Sequence, residues 1–273
     1  MKKRFHRALT IAGSDPSGGA GLQADLKTFS ALGVYGTTAT VAIVDENTQG
    51  VYGVHPVPDN FVAGQIRSVL SDIGTDAVKI GMLHSSELIR TVLHTLMEYP
   101  EVTNIVLDPV MVATSGDPLL REDAIGTLRD ELIPYCRVIT PNVPEASLLL
   151  GEAIDRQSQF EEAARSLSSM YGESKVSVML KAGRLSDQIL TDIFYNAETG
   201  EMVRMESKRI DTNNTHGTGC TLSSAITAWL AKGADLNTAV RLGKEYLTAA
   251  LISGAEYETG KGHGPVNHFH AMW

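Results

Sequence analysis

Short, almost unbroken apolar runs recur along this chain, and they restrict the fold more than any other feature. Ala8-Leu9-Thr10-Ile11-Ala12, Ala77-Val78-Lys79-Ile80, Asn104-Ile105-Val106-Leu107-Asp108, Arg137-Val138-Ile139-Thr140 and Val176-Ser177-Val178-Met179-Leu180 each read as a buried strand. Apolar on both faces, such strands need cover on both faces, which crossover helices give to a mainly parallel sheet. Helical stretches stand where those crossovers belong. One covers Ala24 to Leu32 with Gly33 as its stop, and another begins near Asp59 with Phe61, Ile66, Val69, Leu70 and Ile73 on one face. Ser85 or Ser86 caps a third that reaches about Tyr99, and two more lie near Asp123 to Leu132 and Gln159 to Met170. Gly36 to Val44 adds a strand rich in Thr, Val and Ile, while Gln188 to Tyr195 and Glu201 to Met205 form a pair around Glu198-Thr199-Gly200. Helices starting near Thr218 and Leu236 close the chain. The expectation is an α/β protein with a mainly parallel central sheet, one domain over residues 1–273, with no linker, repeat or low-complexity tract.

Composition narrows the partners. With 23 basic against 32 acidic residues the net charge is -9, which argues against a nucleic-acid footprint. An anionic substrate stays possible, because helix ends and a few lysines hold charge locally. The cysteines, Cys136 and Cys220, have neither metal spacing nor a disulfide framework, and Cys136 reads as a small core residue. The basic opening Met1-Lys2-Lys3-Arg4 precedes an apolar run, Ala8 to Gly13, too short for a signal peptide. No run is long enough to span a bilayer, so a cytoplasmic protein with reduced thiols is expected.

The strongest chemical signal is Asn214-Thr215-His216-Gly217-Thr218-Gly219-Cys220, which opens the helix ahead of Thr221-Leu222-Ser223-Ser224. Glycines there expose backbone N–H groups, and the helix end adds roughly half a positive charge. That combination suits an anion or developing negative charge. It is also expected to lower the pKa of Cys220 and free its thiolate as a base or nucleophile. The other strand ends are polar as well: Asp45-Glu46-Asn47, Lys79-Ile80-Gly81-Met82, Asp108-Pro109-Val110-Met111, Thr140-Pro141-Asn142 with Glu145, and Lys181-Ala182-Gly183. Ligands of such sheets bind outside the carboxyl ends of the strands. Gly19-Ala20-Gly21-Leu22-Gln23-Ala24 also satisfies a dinucleotide fingerprint, with Glu46 near the place of a ribose-binding acid. A Walker loop is excluded, because Gly19-Ala20 stands where Lys-Ser/Thr would be needed.

Taken together, Leu9-Thr10-Ile11-Ala12-Gly13-Ser14-Asp15-Pro16-Ser17-Gly18-Gly19-Ala20-Gly21, Gln23-Ala24-Asp25-Leu26-Lys27, Glu46-Asn47-Thr48, Lys79-Ile80-Gly81-Met82, Asp108-Pro109-Val110-Met111, Thr140-Pro141-Asn142-Val143-Pro144-Glu145, the Asn214 to Thr221 stretch and Gly264-Pro265-Val266-Asn267-His268 resemble one family over nearly the whole length. It is that of the hydroxymethylpyrimidine and phosphomethylpyrimidine kinases, within the ribokinase-like small-molecule kinases. The resemblance implies a three-layer α/β/α sandwich, usually a homodimer. It implies ATP-dependent phosphorylation of 4-amino-5-hydroxymethyl-2-methylpyrimidine and then of its monophosphate, in thiamine biosynthesis. By the same resemblance Asp25, Glu46, Met82 and Gly19 contact the pyrimidine, Asp108 and Glu145 serve magnesium, and Lys181 and Asn142 serve ATP. Gly217, Thr218 and Gly219 form the anion hole, with Cys220 as the base.

Two alternatives stay open. A pyridoxal kinase of the same subfamily would also take a flat ring bearing a hydroxymethyl group, and a dinucleotide-binding dehydrogenase would use the first glycine loop. His216 fits either the phosphate side or a turn, while His263, His268 and His270 are expected to pack near the C-terminus without zinc. Tyr246, Leu247 and Leu251 follow helical spacing and are expected in the core. Ala182 replaces the second residue of a commoner Lys-Gly-Gly, restricting backbone near the nucleotide.

Overall fold

In the computed structural model, which describes residues 3–111 and 119–273, the apolar runs lie side by side as strands. Met1 and Lys2 of the basic opening lie outside the described residues. The strands are β1 (Arg7–Ser14), β2 (Tyr35–Asn47), β3 (Gly50–Pro56), β4 (Ala77–Ile80), β5 (Ile105–Leu107), β6 (Val138–Ile139), β7 (Ser177–Leu180), β8 (Ile189–Asn196) and β9 (Glu201–Lys208). Among the described residues they form one nine-stranded sheet in the order β3-β2-β1-β4-β5-β6-β7-β8-β9. The centre, from β2 to β7, is parallel; β3 at one edge and β8 and β9 at the other are antiparallel.

Alternate residues of each central strand enter different cores, as the two-residue period of a strand demands. Leu9, Ile11, Ile80, Leu107, Ile139 and Leu180 face one side, packing with residues of α2 (Asp59–Ser68), α3 (Ser86–Met97), α5 (Val143–Leu150) and α6 (Phe160–Ser169). Ala8, Ala77, Val106, Val138 and Met179 face the other, against α1 (Gly21–Ala31), α7 (Thr218–Ala231) and α8 (Leu236–Gly254). The result is the expected three-layer α/β/α sandwich.

Local signals worked where caps or glycines set them. Ser85 caps α3 by accepting from the Leu88 amide at 3.2 Å, and Gly33 ends α1 at φ 72°. Three expectations need correction. Phe61 is 65% exposed and Ile73 is 38% exposed, while Val62, Ala63 and Ile66 face the core. Phe61 and Ile66 are five residues apart and so on different faces of a 3.6-residue helix, and a wider π turn over Val69–Ile73 rotates Ile73 outward. The helix expected near Asp123 to Leu132 is a chain of short turns around α4 (Ile125–Thr127), running from Glu122 to Tyr135. Strand β3 and helix α5 had no counterpart in the sequence reading, although Asn142 and Glu145 form a reciprocal capping box at the start of α5.

Candidate active site

Each strand of the parallel run carries a polar group to the same rim. Asp15 follows β1, Glu46 lies near the end of β2, and Lys79 and Met82 belong to the end of β4. Asp108 follows β5, Asn142 follows β6 and Lys181 follows β7. All line one cavity of about 360 Å³, together with Glu145 and with Gly217, Thr218, Gly219 and Cys220 at the start of α7. Glu46 reaches it because the β2–β3 pairing shifts register between Asp45 and Glu46, a bulge that re-aims the side chain.

One wall is a lysine between two buried acids. Lys181 Nζ donates to Asp108 Oδ1 at 2.9 Å, and Thr140 Oγ1 donates to the same oxygen at 2.9 Å. Asp108 Oδ2 accepts no hydrogen bond among the described residues and faces Gly219, where an added Cβ would stand 3.0 Å from it. Glu145 accepts from the Asn142 amide at 2.8 Å, and burial pushes its carboxyl up to about 7, with Lys181 pulling it down and Asp108 pushing it further up. Two neighbouring carboxyls with an unfilled oxygen suit a hard divalent cation such as magnesium, which prefers oxygen ligands.

The opposite wall is the N-terminus of α7. Gly217 holds φ 78°, and a Cβ there would overlap the carbonyl oxygen of Gly19, so the close approach of the two glycine loops requires glycine. The Thr218 amide donates to Thr215 O at 3.3 Å and the Thr221 amide to Gly217 O at 2.8 Å. The amides of Gly219 and Cys220 have no protein acceptor among the described residues. These are the free donors a helix start offers to an anion. The expected acidification of Cys220 is not found. Burial pushes its thiol up to about 11; Lys79 and the Gly21 amide pull it down, while Asp25 and Asp108 push it up. Desolvation and nearby acids outweigh the helix end.

The first glycine loop is not a dinucleotide site. Asp15 accepts from the amides of Ser17, Gly19 and Ala20 at 2.7, 3.0 and 2.6 Å, so these donors are consumed within the loop. His216 Nε2 lies 2.8 Å from Asp15 Oδ2 and joins this loop to the α7 turn. Burial works against the charge of Asp15, yet hydrogen bonds from His216, Ser17 and Ala20 hold its carboxyl far below the usual range. Glu46 lies beside it, and burial with the Asp15 charge pushes Glu46 up to about 7.

Two expected pyrimidine contacts are corrected. Asp25 is fully buried and absent from the cavity wall, its oxygens taken by Lys79, Thr10 and Ser224. Gly19 packs against His216 and Pro265, and Ala20 and Gly21 form the wall instead. The remaining ten expected positions meet around the cavity. Sequence reasoning set Lys79 on the rim without a role and gave Asp15 none. The signal for Lys79 was present: a lysine in the middle of an otherwise apolar strand needs a buried partner. Elsewhere, His268 is buried, bonds Thr221 Oγ1 at 3.1 Å and is pushed down to about 4 by burial. The His270 ring packs tilted against Tyr246 with ring centroids 5.0 Å apart, and Ala182 donates its amide to Asp192 Oδ1 at 2.7 Å.

Comparison with known proteins agrees with this geometry. Residues 15–267 match the family described as phosphomethylpyrimidine kinase. A hydroxymethylpyrimidine/phosphomethylpyrimidine kinase of Rhizobium meliloti is 48% identical over 266 residues, covering 97% of this chain and 98% of the relative. Among solved structures, an ADP complex of Bacillus subtilis pyridoxal kinase superposes with a TM-score of 0.87 at 38% identity, covering 98% of both chains. A phosphomethylpyrimidine kinase of Clostridium difficile gives a TM-score of 0.77 at 40% identity, covering 89% of this chain and 98% of that one. A cavity with free helix-start amides facing a lysine and two acids, in a fold and sequence shared with these proteins, means that the chain belongs to the phosphomethylpyrimidine kinase family and is a phosphotransferase.

Proposed function

We propose that the chain transfers the γ-phosphoryl group of ATP to the alcohol of 4-amino-5-hydroxymethyl-2-methylpyrimidine, and then phosphorylates the monophosphate to the pyrophosphate. The observation that carries this is the meeting of the free Gly219 and Cys220 amides with Lys181 and Asp108 across one cavity that Glu46 also lines. Glu46 near 7 accepts from the ring's exocyclic amino group and, while protonated, donates to the adjacent ring nitrogen. Met82 adds an apolar side chain to the cavity wall.

Lys181 and the α7 amides hold phosphate oxygens, lowering the cost of charge on the transferring group. Asp108 and Glu145 hold magnesium, which supplies charge neutralisation for the phosphates when bound. Cys220 takes the alcohol proton: the O–H bond breaks as S–H forms, the oxygen bonds to the γ-phosphorus, and the bond to ADP breaks with its electron pair leaving on ADP. The proton then passes from sulfur to solvent. Burial makes this thiolate a strong base and a scarce one, since the thiol sits at about 11.

We further propose a homodimer in the cytoplasm. Support comes from the exposed Ile43, Tyr52 and Val54 on the β2–β3 edge and from two free cysteines. No helix among the described residues is long and apolar enough to cross a membrane.

The test of substrate is product analysis by mass spectrometry after incubation with Mg-ATP and either the pyrimidine alcohol or pyridoxal. Mono- and diphosphorylated pyrimidine are expected. Phosphorylated pyridoxal as the sole product would refute the assignment.

A further inference from the structure

At the wall of the same cavity lies a buried ion pair that the mechanism above leaves without a task. Lys79 on β4 and Asp25 on α1 are both fully buried, with Lys79 Nζ 2.9 Å from Asp25 Oδ1 and 2.8 Å from Oδ2. Thr10 Oγ1 donates to Oδ2 at 2.6 Å, and Ser224 Oγ donates to Oδ1 at 2.7 Å. Ser224 is four residues beyond Cys220 on α7, hence on the same helix face one turn along. Asp25 is therefore anchored one turn behind the thiol. Lys79, unlike Asp25, lines the cavity with Cys220.

An ammonium has three donors, and Asp25 occupies two of them. The third has no protein acceptor among the described residues. Glycine at position 81 keeps room for this head group, since an added Cβ would stand 2.8 Å from Nζ and 3.1 Å from the Cβ of Ala12. A fully buried ammonium with a spare hydrogen on a reaction cavity is an unusual thing to keep for packing alone.

We infer that Lys79 is a positioning residue for the Cys220 thiolate, its ammonium presented to the sulfur and fixed there by Asp25, Thr10 and Ser224. The inference rests on Cys220 being the base. The charged groups acting on the sulfur are Lys79 from β4, Asp25 from α1, Asp108 after β5 and Lys181 after β7. Lys79 and Cys220 line the same cavity while Asp25 does not, and among the charged groups acting on the thiol Lys79 has the largest effect, ahead of the opposing Asp25 and Asp108.

The experiment compares the wild type with Lys79→Met/Asp25→Asn, which removes both charges and leaves Thr10 and Ser224 an amide to bond. Iodoacetamide labelling of Cys220 is followed by peptide mass spectrometry, beside kcat and KM for both substrates. Labelling is expected to slow on the order of tenfold, the effect of one unit of thiol acidity at fixed pH. The same fall is expected in kcat, with KM changed by less than about twofold, a split that loss of packing alone does not give. Gly81→Ala serves if the double variant fails to fold, because it keeps both charges and displaces the ammonium; slower labelling is again expected. Unchanged labelling in a folded variant overturns the inference while leaving Cys220 as base. Slower labelling with unchanged kcat supports the coupling and overturns the base assignment.

Discussion

Gly219→Ala separates the phosphate site from the fold. Gly219 lies in the first turn of α7 and is not among the glycines with positive φ, so alanine meets no backbone strain. Its methyl group would stand 3.0 Å from Asp108 Oδ2 and 3.5 Å from Lys181 Nζ, in the space between the helix start and the acid–lysine wall. A phosphoryl group in transfer has to occupy that space. Alanine favours a helix interior over glycine by about 1 kcal/mol, and in a first turn roughly half of that is reasonable. That gain is set against the 3.0 Å approach of the methyl to Asp108 Oδ2, closer than ordinary van der Waals contact, so the melting temperature should stay within about 2 °C of wild type. The amide itself is kept, but the methyl displaces the phosphoryl group from it, and losing one such anion contact typically lowers kcat by about 10²–10³, or about 2.7–4 kcal/mol. Turnover should therefore fall steeply while stability hardly changes. A melting curve beside an ADP-release assay reads both. Turnover within about threefold of wild type, in a folded variant, would refute the placement of the transferring group.

Two further outcomes follow from the same geometry. The carboxyl of Glu46 sits at about 7 in the folded chain against an ordinary value of 4.5, so its contribution to stability is complete below 4.5 and is lost as pH rises through 7. Glu46→Gln removes that titration and should melt above wild type at pH 8 and level with it near pH 4, while weakening pyrimidine binding; a constant difference across pH would contradict the buried-carboxyl argument. Asn142→Ala removes the side chain that accepts from the Glu145 amide at 3.0 Å and should cost about 1 kcal/mol, seen as a lower urea midpoint with an unchanged slope. An unshifted midpoint would contradict the cap.

Much of this was written in the chain. The runs around Leu9, Val78, Val106, Val138 and Val178 announced themselves because strands buried on both faces cannot hide their apolarity. Strand β3 could not be seen that way: it is an edge strand with two glycines, and Tyr52 and Val54 face outward. Helix α5 was hidden by its shortness and by Pro144, though the Asn142–Glu145 capping pair marked its start. The acidity of Cys220 was misjudged for a different reason. Sequence shows the helix start and its glycines, but burial and the distribution of Lys79, Asp25 and Asp108 around the sulfur exist only once the strands are placed side by side. The same holds for Asp25, whose position on α1 gave no sign that Lys79 would bury it behind the cavity.

Single-turnover kinetics of Cys220→Ala with Mg-ATP and the pyrimidine alcohol bear most directly on the chemistry. A positioned proton acceptor is worth about 10²–10⁴ in rate. Phosphoryl transfer should slow within that range while the pyrimidine dissociation constant stays within about twofold of wild type. A chemical step as fast as that of the wild type would show that the sulfur takes no part in the reaction.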